Sequence, residues 1–137
     1  MQKAVLTIIL AMITTFAIAQ KKEYKIVFDL SSGDTAIQSI VLRQLSNTFK
    51  AAPNSILEVV CHGQAINMLV KNKMVFEDRI NELKSKGRVD FKVCANSMKR
   101  YNIDKSELSP IAEIVPVAIL ELSEKQMDNW SYIKAGY

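Results

Sequence analysis

Histidine occurs once and cysteine twice in 137 residues, and the four glycines stand far apart. These shortages remove several kinds of site. No CxxC pair is present, which excludes a thioredoxin-type dithiol. HExxH is absent too, and Cys61, His62 and Cys94 are the whole stock of sulfur and imidazole donors. Two of the three are adjacent, an awkward spacing for two zinc ligands, so no metal site is expected. Scattered glycines do not make a phosphate-cradling loop, although "SSGD" is a weak anion-nest candidate. No Ser-His-Asp spacing stands out, and no cofactor is expected. Excess charge of one sign is also missing: 18 basic residues against 14 acidic ones leave +4, with no basic stripe interleaved with aromatics. A nucleic-acid partner is therefore not expected.

What the chain does have begins at its N-terminus. "MQKAVLTIILAMITTFAIAQ" combines Lys3, an apolar run from Ala4 to Ala17, and Ala17 and Ala19 at an A-x-A spacing. That is the pattern of a secretory signal peptide cleaved before Gln20. A retained anchor is the alternative, but the run is short for a membrane span and "QKKEYK" follows it. No later segment is long enough to span a bilayer. The expectation is a signal peptide over residues 1–19, one domain over 20–137, and a periplasmic or secreted location. Export makes the two cysteines a redox question as well as a packing one.

The rest alternates between two periods. "YKIVFDL" reads as a strand that feeds the Gly-containing loop "SSGD". From Thr35 the spacing of Ile37, Ile40, Val41, Leu45 and Phe49 predicts a helix, with Thr35 and Gln38 as its capping box. "SILEVVCHG" is the second strand, "QAINMLV" a short helix, and "EDRINELKSK" another that stops at Gly87. "RVDFKVC" is the third strand, "NSMKRYNI" a short helix and "DKSELSP" a turn-rich link. "IAEIVP" is the fourth strand, "VAILELSEKQMDNW" the last helix and "SYIKA" a terminal strand. Strands of buried type separated by helices indicate an α/β fold: a small three-layer domain with a mostly parallel central sheet of about five strands, flavodoxin-like in general layout.

In such sheets the usable crevice lies beyond the carboxyl ends of the strands. Ser31 to Asp34, Cys61 to Gln64, Cys94 to Ser97, and Pro116 with Val117 occupy those ends, so both cysteines and the histidine fall there. Cys94 precedes a helix start that Asn96 or Ser97 can cap, near Lys99 and Arg100. A thiol in that setting is more acidic than a free one. Burial as a small hydrophobe and pairing in a disulfide are its other readings. Cys61 is favoured as a structural thiol. His62 is a base, a metal ligand or a hydrogen-bonded loop residue, and Gly63 serves the turn. If the first strand lies between the second and third, the two cysteine-bearing strands are about 9–10 Å apart. That exceeds the ~7 Å Cα limit for a disulfide, although bending loops can close the gap. Trp130, Tyr132 and Tyr137 crowd the C-terminus, which suits subunit packing and a homo-oligomer.

These stretches together resemble the DsrE/DsrF-like family: "EVVCHGQAINML", "INELKSKGRVDFKVCANSMKRYNIDKSEL", "VP" and "QMDNWSYIKAG". The likeness covers residues 24 to 136. It implies a small α/β domain assembled into oligomers. In sulfur-relay members the cysteine after the third strand takes up sulfur as a persulfide, and that position matches Cys94. The equivalents of His62, Gly63, Cys94 and Asn96 look like pocket residues near a subunit boundary. Three features depart from the family's pattern: Val117 and Ala118 replace a common Ser-Gly pair, Trp130 stands where glycine is common, and Cys61 adds a second thiol.

The leading expectation is an exported protein that binds or relays reactive sulfur on Cys94, with His62 moving a proton. Asn96, Gly63, Cys61 and Ser97 would line the ligand site. Its partner would be a thiol-bearing protein or a small-molecule sulfur donor or acceptor. The alternatives are a non-catalytic envelope binding or structural oligomer with Cys94 buried, and a thiol-disulfide redox protein using both cysteines. Whether the chain is an enzyme stays open.

Overall fold

A computed structural model describes residues 22–136, so the signal peptide expected at residues 1–19 and the aromatic Tyr137 lie outside the described part. Five strands, β1 (Lys25–Leu30), β2 (Ile56–Cys61), β3 (Arg88–Cys94), β4 (Ala112–Val115) and β5 (Ser131–Lys134), form one sheet in the order β4-β3-β2-β1-β5. Every neighbouring pair is parallel. The helices are α1 (Thr35–Ala51), α2 (Glu77–Lys86), α3 (Ala95–Arg100) and α4 (Ala118–Met127), with 3₁₀ turns at Gly63–Leu69 and Lys105–Glu107. The three-layer α/β domain expected from the sequence is what forms.

Three details differ from expectation. α3 has Cys94 as its N-cap, with Asn96 and Ser97 already inside the helix and capping nothing, because the chain turns helical directly after β3. β1 does not separate β2 from β3; those two pair directly and β2 is the central strand. The helix after the first loop is capped by Asp34, whose Oδ1 accepts the Ala36 N–H at 2.8 Å, and not by a Thr35–Gln38 box. Thr35 is already helical, whereas Asp34 keeps the extended backbone that an N-cap needs.

Strand order decides how the two faces are covered. From β1 to β4 each connection steps to the next strand in the same direction, so right-handed crossovers put their helices on one face. The connection from β4 to β5 returns across the whole sheet, and right-handedness sends α4 over the other face. The first face is a broad apolar core: Phe28, Leu30, Leu57, Val59, Phe91 and Val93 meet Val41, Leu42 and Leu45 of α1 and Ile80 of α2. Beneath α4 the apolar set is small: Val27, Val60 and Cys94 against Ala118 and Leu122, with Trp130 at the margin.

Alternation along β2 sends Glu58 to this second face, where it is 1% exposed. Lys125 of α4 holds its Nζ 2.8 Å from Glu58 Oε2, off the angle for a hydrogen bond, so neither carboxylate oxygen has a hydrogen-bond partner. Lys92 of β3 stands 4.0 Å from the same oxygen and also pairs with Glu113. Lys125 in turn rests 4.5 Å from the Trp130 ring centroid.

Burial pushes the Glu58 carboxyl from its ordinary 4.5 up to about 7, Lys125 pulling it only part of the way back. The folded protein therefore holds this proton more tightly than the unfolded chain does. The resulting stability is complete below pH 4.5 and is lost as the pH rises to about 7. Urea-unfolding midpoints measured across that window should fall more steeply for the wild type than for Glu58→Gln. Parallel profiles would show that Glu58 does not titrate there.

Candidate functional site

All five strands point the same way, so their carboxyl ends gather at one edge of the sheet. Register then sorts the candidate residues by face. Leu30, Cys61 and Val93 are cross-strand partners in the larger core. Cys94 is one residue further along β3 and belongs to the smaller core under α4. The two cysteines thus face opposite sides of the sheet, and both are free thiols. Cys61 is fully buried, and burial alone pushes it up to about 12. The expectation that Cys61 joins the ligand site is not met: the sheet separates it from Cys94, and that denies a two-cysteine redox centre its geometry. Among the described residues no group of three or more His, Cys, Asp or Glu side chains could hold a metal ion.

Cys94 sits where β3 turns into α3, and it is 4% exposed. The first amide of α4, Ala118 N–H, donates to its Sγ at 3.4 Å. Burial pushes the thiol up, but the Ala118 amide, the Ser97 amide and hydroxyl, and the Asn96 amide together hold it below its ordinary 9.0. Asn96 contributes its backbone, its side chain being at an exposed position. Ser97 is buried, and its Oγ accepts the Gly63 N–H at 2.8 Å, which leaves the hydroxyl proton free to turn to the sulfur. Gly63 has φ +55, and a Cβ there would lie 3.1 Å from the Ser31 carbonyl oxygen, so backbone and space both favour glycine. The Gly63–Ser97 hydrogen bond thereby ties the end of β2 to the helix start beside Cys94.

His62 follows Cys61, so extending the β2–β3 register by one residue sets it beside Cys94 on the same face. Its ring turns toward β1 instead. Nε2 lies 2.7 Å from Asp29 Oδ1, and among the described residues no hydrogen bond joins His62 to Cys94. With Nε2–H donating to Asp29, Nδ1 would be left as the basic nitrogen. Asp29 is buried and also accepts the Tyr132 hydroxyl at 2.6 Å, with Lys134 Nζ 3.9 Å away. That hydrogen bond is the main cause pushing Tyr132 up to about 12. Asp29, Tyr132, Lys134 and the Ala118 amide were not among the residues expected from the sequence. An acid inside the apolar strand "KIVFDL" was the available signal for Asp29. Among the described residues one groove lies between α1 and α2 beside Phe49 and Arg79, and another beside Ala95, Met98 and Asn102.

A family model described as "DsrE/DsrF-like family" matches residues 22–135. Among solved structures, a protein of unknown function from Methanobacterium thermoautotrophicum superposes with a TM-score of 0.77 at 21% identity, covering 82% of this chain and 99% of that one. No curated protein matches the chain.

Two substitutions test the local chemistry. Ser97→Ala removes one donor to the sulfur and the acceptor for Gly63, so the pH midpoint of Cys94 alkylation should rise, with about 1–2 kcal/mol lost in stability. Asp29→Asn removes the anion that holds the Tyr132 proton, so in ultraviolet titration one tyrosine should move from about 12 down toward 10. Unmoved midpoints would contradict these contacts.

Proposed function

The chain belongs to the DsrE/DsrF-like family, and on that premise we propose that it carries reactive sulfur as a persulfide on Cys94. One observation supports this most: a thiol at a strand end, facing the first amide of α4 and helped by Ser97 and Asn96, is held below its ordinary value despite burial. The thiolate is the form that attacks sulfur. In the exchange, Cys94–S⁻ attacks the outer sulfur of a donor R–S–SH. The Sγ–S bond forms, the donor S–S bond breaks, and R–S⁻ leaves. Transfer to an acceptor thiolate is the same step in reverse, with Cys94 as the leaving group. The amides that face the thiolate stabilise it before attack and again on release. His62, held by Asp29, takes or returns the proton of the outer sulfur.

The proposed setting is the periplasm or the extracellular space, following the signal peptide expected at residues 1–19. The proposed assembly is a homo-oligomer, with a thiol-bearing protein or small molecule as exchange partner. Exposed apolar side chains on α4 support the assembly: Ile119, Leu120 and Met127 are 59%, 57% and 80% exposed. The 4% exposure of Cys94 favours a second reading, a binding or structural oligomer in which this thiol never turns over.

Intact-mass measurement after polysulfide treatment separates the two. The carrier should gain one sulfur mass per protomer, keep that gain in Cys61→Ser and lose it in Cys94→Ser. A wild type that gains nothing, or a Cys94→Ser variant that still gains, would sink the carrier role.

A further inference from the structure

α4 does two things at two heights. Its first residue gives an amide to Cys94, and seven residues later Lys125 reaches the buried Glu58. Seven residues are about two turns, so both contacts lie on the same side of the helix, about 10 Å apart. Little else seats that helix: Ala118 and Leu122 over Val27 and Val60, with Trp130 beside them. Glu58 is in the central strand and is bonded into the ladder on both sides, so the anchor itself is fixed. The charged groups around it are Lys125 and Glu121 from α4 and, from β3, Lys92 and its register partner Asp90, which pairs with Lys84; its β1 neighbour is Val27.

The geometry points to Glu58 and Lys125 as positioning residues for Cys94: their ion pair fixes the rotation and height of α4, and so seats the Ala118 amide on the sulfur. Neither residue touches Cys94. Lys125 is held by Glu58 at one side and by the Trp130 ring at the other, so a displaced lysine would release the lower half of α4. This inference rests on the carrier role for its biological meaning, but the titration of Cys94 can be read whether or not sulfur is ever loaded.

Opposite charges make the test decisive. Acting through space, loss of the Glu58 negative charge would make Cys94 more acidic, and loss of the Lys125 positive charge would make it less acidic. Acting through the helix, both losses free α4 and both make Cys94 less acidic. The experiment follows the Cβ chemical shift of isotope-labelled Cys94 against pH in wild type, Glu58→Gln, Lys125→Met, Lys125→Arg and Lys92→Met, with folding checked by circular dichroism. Above pH 7, where Glu58 is ionised and the pair is complete, the midpoint should rise in both Glu58→Gln and Lys125→Met by about half to one pH unit, a three- to tenfold change in the thiolate-to-thiol ratio. The double variant should add little to either single one, because each removes the same contact. Lys125→Arg should restore most of the effect, and Lys92→Met, which spares α4 but removes a cation two residues before Cys94 on the same face, should raise the midpoint clearly less than Lys125→Met. Shifts of opposite sign, an unmoved midpoint in Lys125→Met, or an equal shift in Lys92→Met would overturn the inference. Sulfur loading in the wild type with unmoved midpoints would refute the positioning alone. Moved midpoints without loading would refute the carrier role alone.

Discussion

A right-handed crossover from β4 to β5 has to pass over the face that the earlier helices leave bare. With β2 at the centre and β5 added beyond β1, that passage spans the sheet from one edge to the other, and a ten-residue helix makes it. α4 therefore starts above the β4 side, where Cys94 lies, and ends over β1 and β2. The contact between Ala118 N–H and Cys94 Sγ follows from where such a helix must begin. Handedness of one connection thus brings a backbone donor to a thiol that is distant in sequence.

The two faces solve burial differently. On the first, three crossovers supply a continuous apolar layer that needs no polar help. On the second, a single helix covers alternate positions that include Asp29, Glu58 and Lys92 as well as valines. Each of these charges has an opposite partner, which is how buried ions are normally tolerated. The pairs also carry direction: Asp29 orients His62 and Tyr132, and Glu58 holds Lys125. A purely apolar second face would leave the histidine and the helix less defined.

Much of this was legible from residue patterns. "EDRINELKSK" and "RVDFKVC" carry their own limits and coincide with α2 and β3, because Gly87 stands between them and the period changes there. Neighbour choice in the sheet was not legible, since apolar strands of similar composition do not say which of them is central. Strand order alone leaves the separation of the cysteines open, whereas the parity of their positions puts them on opposite faces. Caps were ambiguous where Asp34 and Thr35 both qualify. Glu58 escaped notice, and Asp29 stood out only as a carboxylate flanking the first loop, for one reason: each is a single acid inside an apolar strand, a pattern that signals a paired buried carboxylate only once the partner is known. Their partners, Tyr132 and Lys125, come from the last quarter of the chain.

The placement of Cys61 has a chemical consequence for anything that happens at Cys94. An oxidised or sulfur-bearing thiol is commonly resolved by a neighbouring thiol of the same chain, which closes an internal disulfide and ejects the adduct. Here that route is closed by the thickness of a β-sheet. On the proposed carrier role, an adduct on Cys94 would wait for a thiol from outside the protomer, so its lifetime would be set by what can approach and not by a second thiol of the same chain.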